Sequence, residues 1–240
     1  MFNKPITVDF FTTDQLVHDQ YSVESKGTFP QWFRALPTYN SSNMDTSECP
    51  HMKHNYTNAR NCLGIQKLYK NAITIPLFTD IEFYVKDERM DWTYAYSPEM
   101  NGGDVVRSHP HDQSNNFFSE RFHHAKIVMP WLARETKGID FYINMWDWNT
   151  NIHSIKNIGG VVDFKYQHTT NLNFFVTKVF DHSFFLEAGM PLVQIIPLTE
   201  RKVKVKTHLV DKKELDRLFP MQTTFQRKYA KQKKWYNKYS

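Results

Sequence analysis

Hydrophobic and polar residues alternate over short stretches along most of the first 210 residues of the chain. In Thr7–Phe11, for example, Val8 and Phe10 share one face, and Ile139–Trp148 alternates in the same way. A period of two residues is typical of half-buried β-strands, whose successive side chains point to opposite faces of a sheet. The pattern therefore predicts many short strands, and over Ala72–Val85 it predicts a β-hairpin.

Further strands are predicted at short intervals, separated by turn residues such as Gly159 and Gly160. They cover His124–Trp131, Val161–Phe164, Asn171–Val176, Phe184–Leu186, Leu192–Pro197 and Val203–Val210. In the last of these, valines alternate with lysines, which favours an edge strand protected by charge. Because the strands are many and helical periodicity is scarce, the predicted fold class is mainly β, a β-sandwich or jelly roll.

The pattern changes after Val210. Asp211 followed by Glu214 is typical of a helix N-terminus, and Leu215 with Phe219 gives the helix an apolar face. The sequence thus predicts a β-sandwich domain over residues 1–210 and a basic helical extension over residues 211–240.

Positive charge is concentrated in the last 40 residues of the chain, which include the C-terminal extension. Residues 201–240 contain 13 Lys and Arg against 3 Asp and Glu, whereas the other 200 residues contain 17 against 22. A mildly acidic body with a basic arm predicts an acidic partner. The candidate partner-binding residues combine cations with aromatic rings and are Arg227, Lys228, Tyr229, Lys233, Lys234 and Trp235.

Three interpretations of this arm stay open. Its cations would bind an acidic protein or another copy of the chain. Alternatively, the cations would neutralise phosphates while the aromatic rings stack on the bases of a nucleic acid. In the third interpretation the aromatic side chains pack on the sandwich and the lysines remain in solvent.

Two histidines have a spacing that resembles the opening of the first cupin motif. Gly103 is followed after five residues by His109-Pro-His111. Residues i and i+2 of a strand share a face, so both imidazoles would reach one divalent metal ion. We take His168 as the third ligand, with His123 and His124 as alternatives.

The cupin match is incomplete. Asn115 and Asn116 stand where the motif has a Glu, and the second cupin motif is absent. Pro110 also disfavours a central strand, because proline has no N–H to donate. The alternative to a metal site is a polar loop in which histidines accumulate.

A second candidate site follows from alternation after Asp163. If the strand continues, Asp163, Lys165 and Gln167 lie on one face, and Lys126 and Arg201 are near in strand order. This arrangement predicts a site for an anionic ligand. A solvated strand face is the alternative. No serine-histidine-aspartate, cysteine-histidine or paired-carboxylate motif can be assembled from the sequence.

The expected location of the protein in the cell follows from three features that the sequence lacks. The N-terminus has no apolar signal region, no stretch approaches the length of a membrane helix, and Cys49 and Cys62 cannot form a disulfide scaffold. We therefore expect a cytoplasmic protein that does not enter a membrane.

Several short sequence segments together resemble an uncharacterised family that is common in tailed phages of marine bacteria and occurs in some bacteria. They are Asn61-Cys-Leu-Gly-Ile65, Ile75-Pro-Leu-Phe-Thr-Asp-Ile81, Gly160-Val-Val-Asp163 and Gly189-Met-Pro-Leu-Val-Gln-Ile-Ile-Pro197, with Arg201. The resemblance spans roughly residues 60–205 and implies a compact β-sandwich, a viral origin and a role in the virion or in host takeover. It implies no reaction.

Two hypotheses about function follow. In the first, a phage-encoded β-sandwich protein has a binding or structural role through its basic aromatic arm, in the host cytoplasm or the virion. In the second, a cupin-like metal-dependent enzyme, such as a non-haem iron oxygenase, uses His109 and His111. The sequence leaves open whether the protein is an enzyme.

Overall fold

The computed structural model of the protein describes residues 4–24, 31–36, 39–40, 56–57, 59–99, 102–110, 116–145 and 154–219. Within these residues the chain is mainly β, as the period-two pattern predicts. The strands are β1 (Ile6–Thr12), β2 (Tyr39–Asn40), β3 (Tyr56–Thr57), β4 (Ile73–Pro76), β5 (Ile81–Lys86), β6 (Arg89–Tyr94), β7 (Val106–Ser108), β8 (Phe122–Ile127), β9 (Leu132–Arg134), β10 (Asp140–Met145), β11 (Ile155–Asn157), β12 (Gly160–Asp163), β13 (Leu172–Thr177), β14 (His182–Leu186), β15 (Pro191–Pro197) and β16 (Val203–Leu209).

Short helices connect these strands. They are α1 (Gln15–Gln20), α2 (Gln31–Ala35), a 3-10 helix (Ala59–Asn61), α3 (Leu63–Lys70), α4 (Asn116–Arg121) and α5 (Lys212–Leu218). α1 begins after Asp14, whose carboxylate accepts a hydrogen bond from the Val17 backbone N–H at 2.9 Å. In the part of the chain that the structure describes, no helix has the length and apolar character needed to cross a membrane.

The longer strands form four sheets, which we number I to IV. Sheet I has the order β16-β1-β9, sheet II β12-β10-β15-β4, sheet III β11-β13-β8-β7 and sheet IV β14-β5-β6. β1 and β16 run parallel, and the other neighbouring strands of these sheets are antiparallel. β16 is an edge strand of sheet I, which confirms the prediction from its alternating valines and lysines.

The inner faces of the four sheets meet in one apolar core. Phe83 of sheet IV and Phe174 of sheet III are in edge-to-face contact, with ring centroids 5.8 Å apart. Phe141 of sheet II lies 4.8 Å from Phe164, and Phe164 lies 6.4 Å from Phe10 of sheet I. Burying one such ring stabilises the fold by about 2–3 kcal/mol. The sheets therefore pack face to face as in a sandwich, which confirms the predicted fold class.

The hairpin predicted over Ala72–Val85 is wrong, although both of its strands are present. β4 pairs with β15 in sheet II, whereas β5 pairs with β6 and β14 in sheet IV. β5 and β6 form the hairpin instead, through a turn at Asp87 and Glu88 with φ angles of 48° and 60°. Positive φ at both central residues is the geometry of a type I′ turn, which normally selects Asn or Gly. The sequence therefore lacks the usual turn signal at this position.

The first helix of the basic extension packs on the β body. Asp211 caps α5 by accepting a hydrogen bond from the Glu214 backbone N–H at 2.7 Å, as the capping pattern predicts. Leu215 and Phe219 are buried against Phe11 and Leu132. Residues up to Phe219 thus share packing with sheet I. The predicted boundary at residue 211 stays a prediction, because the rest of the extension lies outside the described residues.

Candidate functional site

The structure places two of the predicted metal ligands in different surroundings. His109 follows β7, and its Nε2 atom lies 3.3 Å from the Asn173 side-chain oxygen. His168 instead lies with Nδ1 3.0 Å from the Ala133 carbonyl oxygen and its ring 4.8 Å from that of Phe219. His111 lies outside the described residues. Among the described residues, no three His, Cys, Asp or Glu side chains are grouped to hold a metal ion.

His109 is close to a second histidine, but the pair has the geometry of a ring stack. The imidazoles of His109 and His124 have centroids 4.1 Å apart and planes inclined by 24°. A metal ion binds an imidazole in the plane of the ring, through the nitrogen lone pair. Two nearly parallel, stacked planes have no such common point at bonding distance. This pair therefore contributes ring packing in the observed conformation.

The continuous polar strand predicted from Asp163 to Gln167 is wrong. β12 ends at Asp163, and residues 164–166 form a turn. The Asp163 carboxylate accepts a hydrogen bond from the Lys165 N–H, and its backbone carbonyl accepts from the N–H groups of Tyr166 and Gln167. An Asp side chain that bonds the backbone two residues later is a common turn device. The alternation in sequence therefore does not become one strand face.

Two further predicted ligand residues lie on different sheets. Arg201 precedes β16 and donates two hydrogen bonds, at 2.9 and 2.6 Å, to the Lys4 backbone carbonyl. Its guanidinium thus tethers the start of β1. Lys126 lies in the middle of sheet III, where it pairs in register with Asn173. Arg201 and Lys126 therefore belong to different sheets, and Lys126 leads to a different candidate site.

The outer face of sheet III collects cations and rings from four strands. Residues opposite one another in neighbouring strands share a face. Arg107, Lys126 and Asn173 form one such row across β7, β8 and β13. His124, Phe175 and Lys156 form the next row across β8, β13 and β11. We call the sheet III face the set Arg107, His109, Phe122, His124, Lys126, Lys156, Asn173 and Phe175.

The rings of this face are in contact from one side of the sheet to the other. The His124 ring centroid lies 5.1 Å from that of Phe175, and Phe175 lies 5.9 Å from Phe122. The Lys156 ammonium lies 4.5 Å above the Phe122 ring. A cation over an aromatic ring is stabilised by about 0.5–1 kcal/mol at an exposed site. The face is thus a packed layer of rings with cationic side chains along it.

Electrostatic repulsion is already present within the sheet III face. The pKa of His124 is lowered to about 4, mainly by burial and to a smaller extent by the neighbouring His109 and Lys126. Burial also lowers the pKa of Lys126, with a smaller contribution from Arg107. Asp104 forms an ion pair with Arg107 at 2.9 Å. An additional anion would therefore be stabilised at this face, because it would offset both desolvation and repulsion.

The sequence contained the residues of this face but not their association. The sequence pattern places His109 and Lys126 in two separate candidate sites and contains no signal for Arg107. Only the pairing of β7, β8, β11 and β13 brings these positions together. The basic arm, which contains Arg227, Lys228, Tyr229, Lys233, Lys234 and Trp235, lies outside the described residues.

The fold defines a mainly β protein with sandwich-like sheet packing and a docked C-terminal helix. In comparisons with known proteins, the chain matches no protein family model, no curated protein and no solved structure.

Proposed function

We propose that the protein is a non-catalytic binding protein that holds an acidic protein segment against the sheet III face. The observation that carries the proposal is the crowding of Arg107, Lys126 and Lys156 among stacked rings. Carboxylates docked here would gain charge-assisted hydrogen bonds, each worth about 1.5–3 kcal/mol where solvent is excluded. The basic arm would add its cations to the same partner.

The ring arrangement favours an acidic protein over a nucleic acid. Bases bind by stacking on exposed aromatic faces. On the sheet III face, Phe175 is half-buried and packs against His124 and Phe122, while Lys156 covers the Phe122 ring. The rings thus pack among themselves and under Lys156, which favours recognition by charge over recognition by base stacking.

The origin of the protein and its place of action are part of the same proposal. The resemblance to a phage family supports a phage origin, and the partner would then be a component of the virion or of the host. Its place of action would be the host cytoplasm or the virion. Self-assembly through an acidic surface of a second copy is a further form of the same interaction.

A labelled hexaglutamate peptide tests the binding site by fluorescence anisotropy on the full chain. We expect binding that weakens as ionic strength rises, because exposed charge pairs are screened by salt. Lys126→Met and Lys156→Met each should weaken binding by about three- to tenfold. Lys204→Met, on the exposed edge of sheet I, is the matched control and should leave binding unchanged.

Two outcomes would contradict the proposal. Equal weakening by Lys204→Met would show that only net charge matters. Stronger binding of an oligothymidylate that is lost with Phe175→Leu would favour nucleic acid instead. Charge reversal at Lys228, Lys233 and Lys234 in the full chain measures the contribution of the arm separately.

The cupin-like alternative has a direct test of its own. Elemental analysis of the purified full chain should find stoichiometric iron, manganese, nickel or zinc if His109 and His111 hold a catalytic metal. The metal content should then fall in both His109→Ala and His111→Ala. Binding of hexaglutamate by a metal-free protein would support the binding hypothesis.

A further inference from the structure

The outer face of sheet IV carries aromatic rings and carboxylates. Phe185 on β14 lies opposite Glu82 on β5, and Glu82 lies opposite Thr93 on β6. The neighbouring row of outward side chains lies two residues further along each strand. Residues paired in this way share one face of a sheet. We call the two rows together the sheet IV face, which consists of Phe185, Glu82, Thr93, Ser183, Tyr84 and Asp91.

The rings of the sheet IV face are open to solvent. Phe185 is 53% exposed and Tyr84 is 39% exposed. A hydrogen bond to the Glu82 carboxylate raises the pKa of the Tyr84 hydroxyl, which shows how closely ring and acid lie on this face. Large aromatic side chains are enriched where protein surfaces dock on one another. The face thus offers a partner apolar area together with negative charge.

Sheets III and IV carry charges of opposite sign. Residues 81–94 and 181–187, which include the three strands of sheet IV, contain six Asp and Glu against two Lys and Arg. The two cations, Lys86 and Arg89, lie opposite each other at the end of the β5–β6 hairpin. The four strands of sheet III contain three Lys and Arg and no Asp or Glu. Asp104, just before β7, pairs with one of these cations.

The two charged faces point away from each other. Sheets III and IV meet through their inner faces, where the Phe83 ring contacts the Phe174 ring. Tyr84 and Phe175 each follow one of these core residues by one position, so their side chains point outward. The acidic face of one copy therefore reaches the cationic face only of another copy. Contact between two different faces is heterologous, and it continues head to tail into an open chain or a ring.

We propose that copies of this protein associate head to tail, with the sheet IV face of one copy docked on the sheet III face of the next. The inference rests on the proposed function, because it uses the same cationic face and names a second copy as the acidic partner. Glu82 and Asp91 would offset the repulsion among the cations of the sheet III face, and Phe185 would lie against its layer of rings.

The size of the sheet IV face predicts a weak association. Its strands have five or six residues each. Three such strands, about 4.8 Å apart, cover roughly 14 by 17 Å. Each partner in a standard interface buries about 800 Å², which is roughly three times this area. We therefore expect reversible association that depends on protein concentration.

Sedimentation velocity of the full chain measures this association. We expect the weight-average sedimentation coefficient to rise with protein concentration and to fall when salt is added, because salt screens charges at the surface. Phe185→Ser should weaken association by about three- to tenfold through the loss of apolar contact area. Leu198→Ser, at a position just after β15 that is also 53% exposed, is the matched control and should leave association unchanged.

Charge reversal provides a sharper test of the two faces. The sheet IV variant carries Glu82→Lys with Asp91→Lys, and the sheet III variant carries Lys126→Glu with Lys156→Glu. Each should weaken self-association by about tenfold or more, because like charges would then oppose each other. All four changes in one chain exchange the signs of the faces without altering net charge, so they should restore association. Circular dichroism confirms that each variant is folded.

The control for net charge lies on the edge strand of sheet I. Lys204→Glu with Lys206→Glu changes the net charge as much as the sheet III variant does, at exposed positions outside both faces. It should leave self-association unchanged. A loss equal to that of the sheet III variant would show that net charge alone governs association and would overturn the inference.

Binding of hexaglutamate separates this inference from the proposed function. The sheet IV variant should still bind hexaglutamate, since its sheet III face is unchanged. A chain that binds hexaglutamate but sediments as a monomer at every concentration would overturn head-to-tail association and leave the proposed function standing. Absence of both would contradict both. Association that persists in the sheet IV variant, or that only charge reversal at Lys228, Lys233 and Lys234 abolishes, would also overturn the inference.

Discussion

Sheets II and III both turn a row of polar side chains away from the core, but the two faces differ in charge and burial. On sheet III the polar side chains include the exposed cations Arg107 and Lys156 and the half-buried Lys126, and Lys156 lies over a ring. On sheet II the row is neutral, and Thr74 and Gln194 are almost completely covered. The same strand alternation thus produces one polar face that a charged partner can reach and another that is closed to solvent. The solvent exposure of the side chains, rather than their period in the sequence, determines which chemistry each face can support.

Adding one carboxylate to each face should separate them most clearly. Gln194→Glu places a charge at a buried position without a cation in its row, so we expect the free energy of unfolding at neutral pH to fall by about 3 kcal/mol or more. Asn173→Asp places the same charge beside Lys126 and His109, so its effect should stay within about 0.5 kcal/mol or be stabilising. Urea denaturation measures both values.

The pH dependence of Gln194→Glu provides the check on this result. Burial raises the folded-state pKa of a carboxyl, so the new Glu becomes neutral as pH falls. The loss in free energy of unfolding relative to the wild type should therefore shrink at low pH. Equal losses in Gln194→Glu and Asn173→Asp would contradict the difference between the two faces.

A smaller effect should appear in the pH dependence of the sheet III face. The pKa of His124 is lowered from 6.5 to about 4, mainly by burial. Between these values the unfolded chain binds a proton that the folded protein does not, so stability falls as pH drops from 6.5 towards 4 and levels off below. After allowance for solvent screening, the loss should be about 1 kcal/mol.

His124→Phe should remove this component while keeping a ring in the stack. Urea unfolding of both proteins over this pH range should show that the free energy of unfolding of the variant rises relative to that of the wild type as pH approaches 4. Burial also lowers the pKa of His168, so part of the pH dependence should remain in the variant. An identical slope in the two proteins would contradict the assignment to His124.

An effect of similar size concerns the contact between Gly159 and Tyr142 of sheet II. In Gly159→Ala the new methyl group would meet the Tyr142 ring at 2.5 and 2.7 Å, so the ring must move. We expect a loss of about 1 kcal/mol in the free energy of unfolding, since Tyr142 is only half-buried. Gly160→Ala, where nothing lies within 4 Å, is the neighbouring control and should stay within about 0.5 kcal/mol. Similar losses in both would show that Tyr142 is not held at Gly159.

Local pattern predicted those parts of the fold that depend on neighbouring residues. β1, β10 and β16 follow directly from period-two alternation, and the start of α5 follows from Asp211 and Glu214. α1 and α3 escaped prediction because they have only six and eight residues. So short a helix does not repeat its apolar face often enough to reveal its period.

The candidate sites could not be predicted in the same way. The sequence marks His109 and Lys126 as candidate ligands, but it groups them with His168 and Arg201, which have other bonding partners in the structure. Gln194 is a lone polar residue between Val193 and Ile195, and only the structure shows that its side chain is almost completely covered.

By itself the sequence determined the mainly β class, the charged edge strand and the capped helix that follows it, because alternation and capping act over a few residues. The tertiary structure decided which strands pair, which side chains share an outer face and which of those faces is covered. Strand pairing joins residues as distant as Lys126 and Asn173 through hydrogen bonds between backbones, which are the same for every side chain. The choice among pairings therefore depends on how all the sheets together bury their apolar faces.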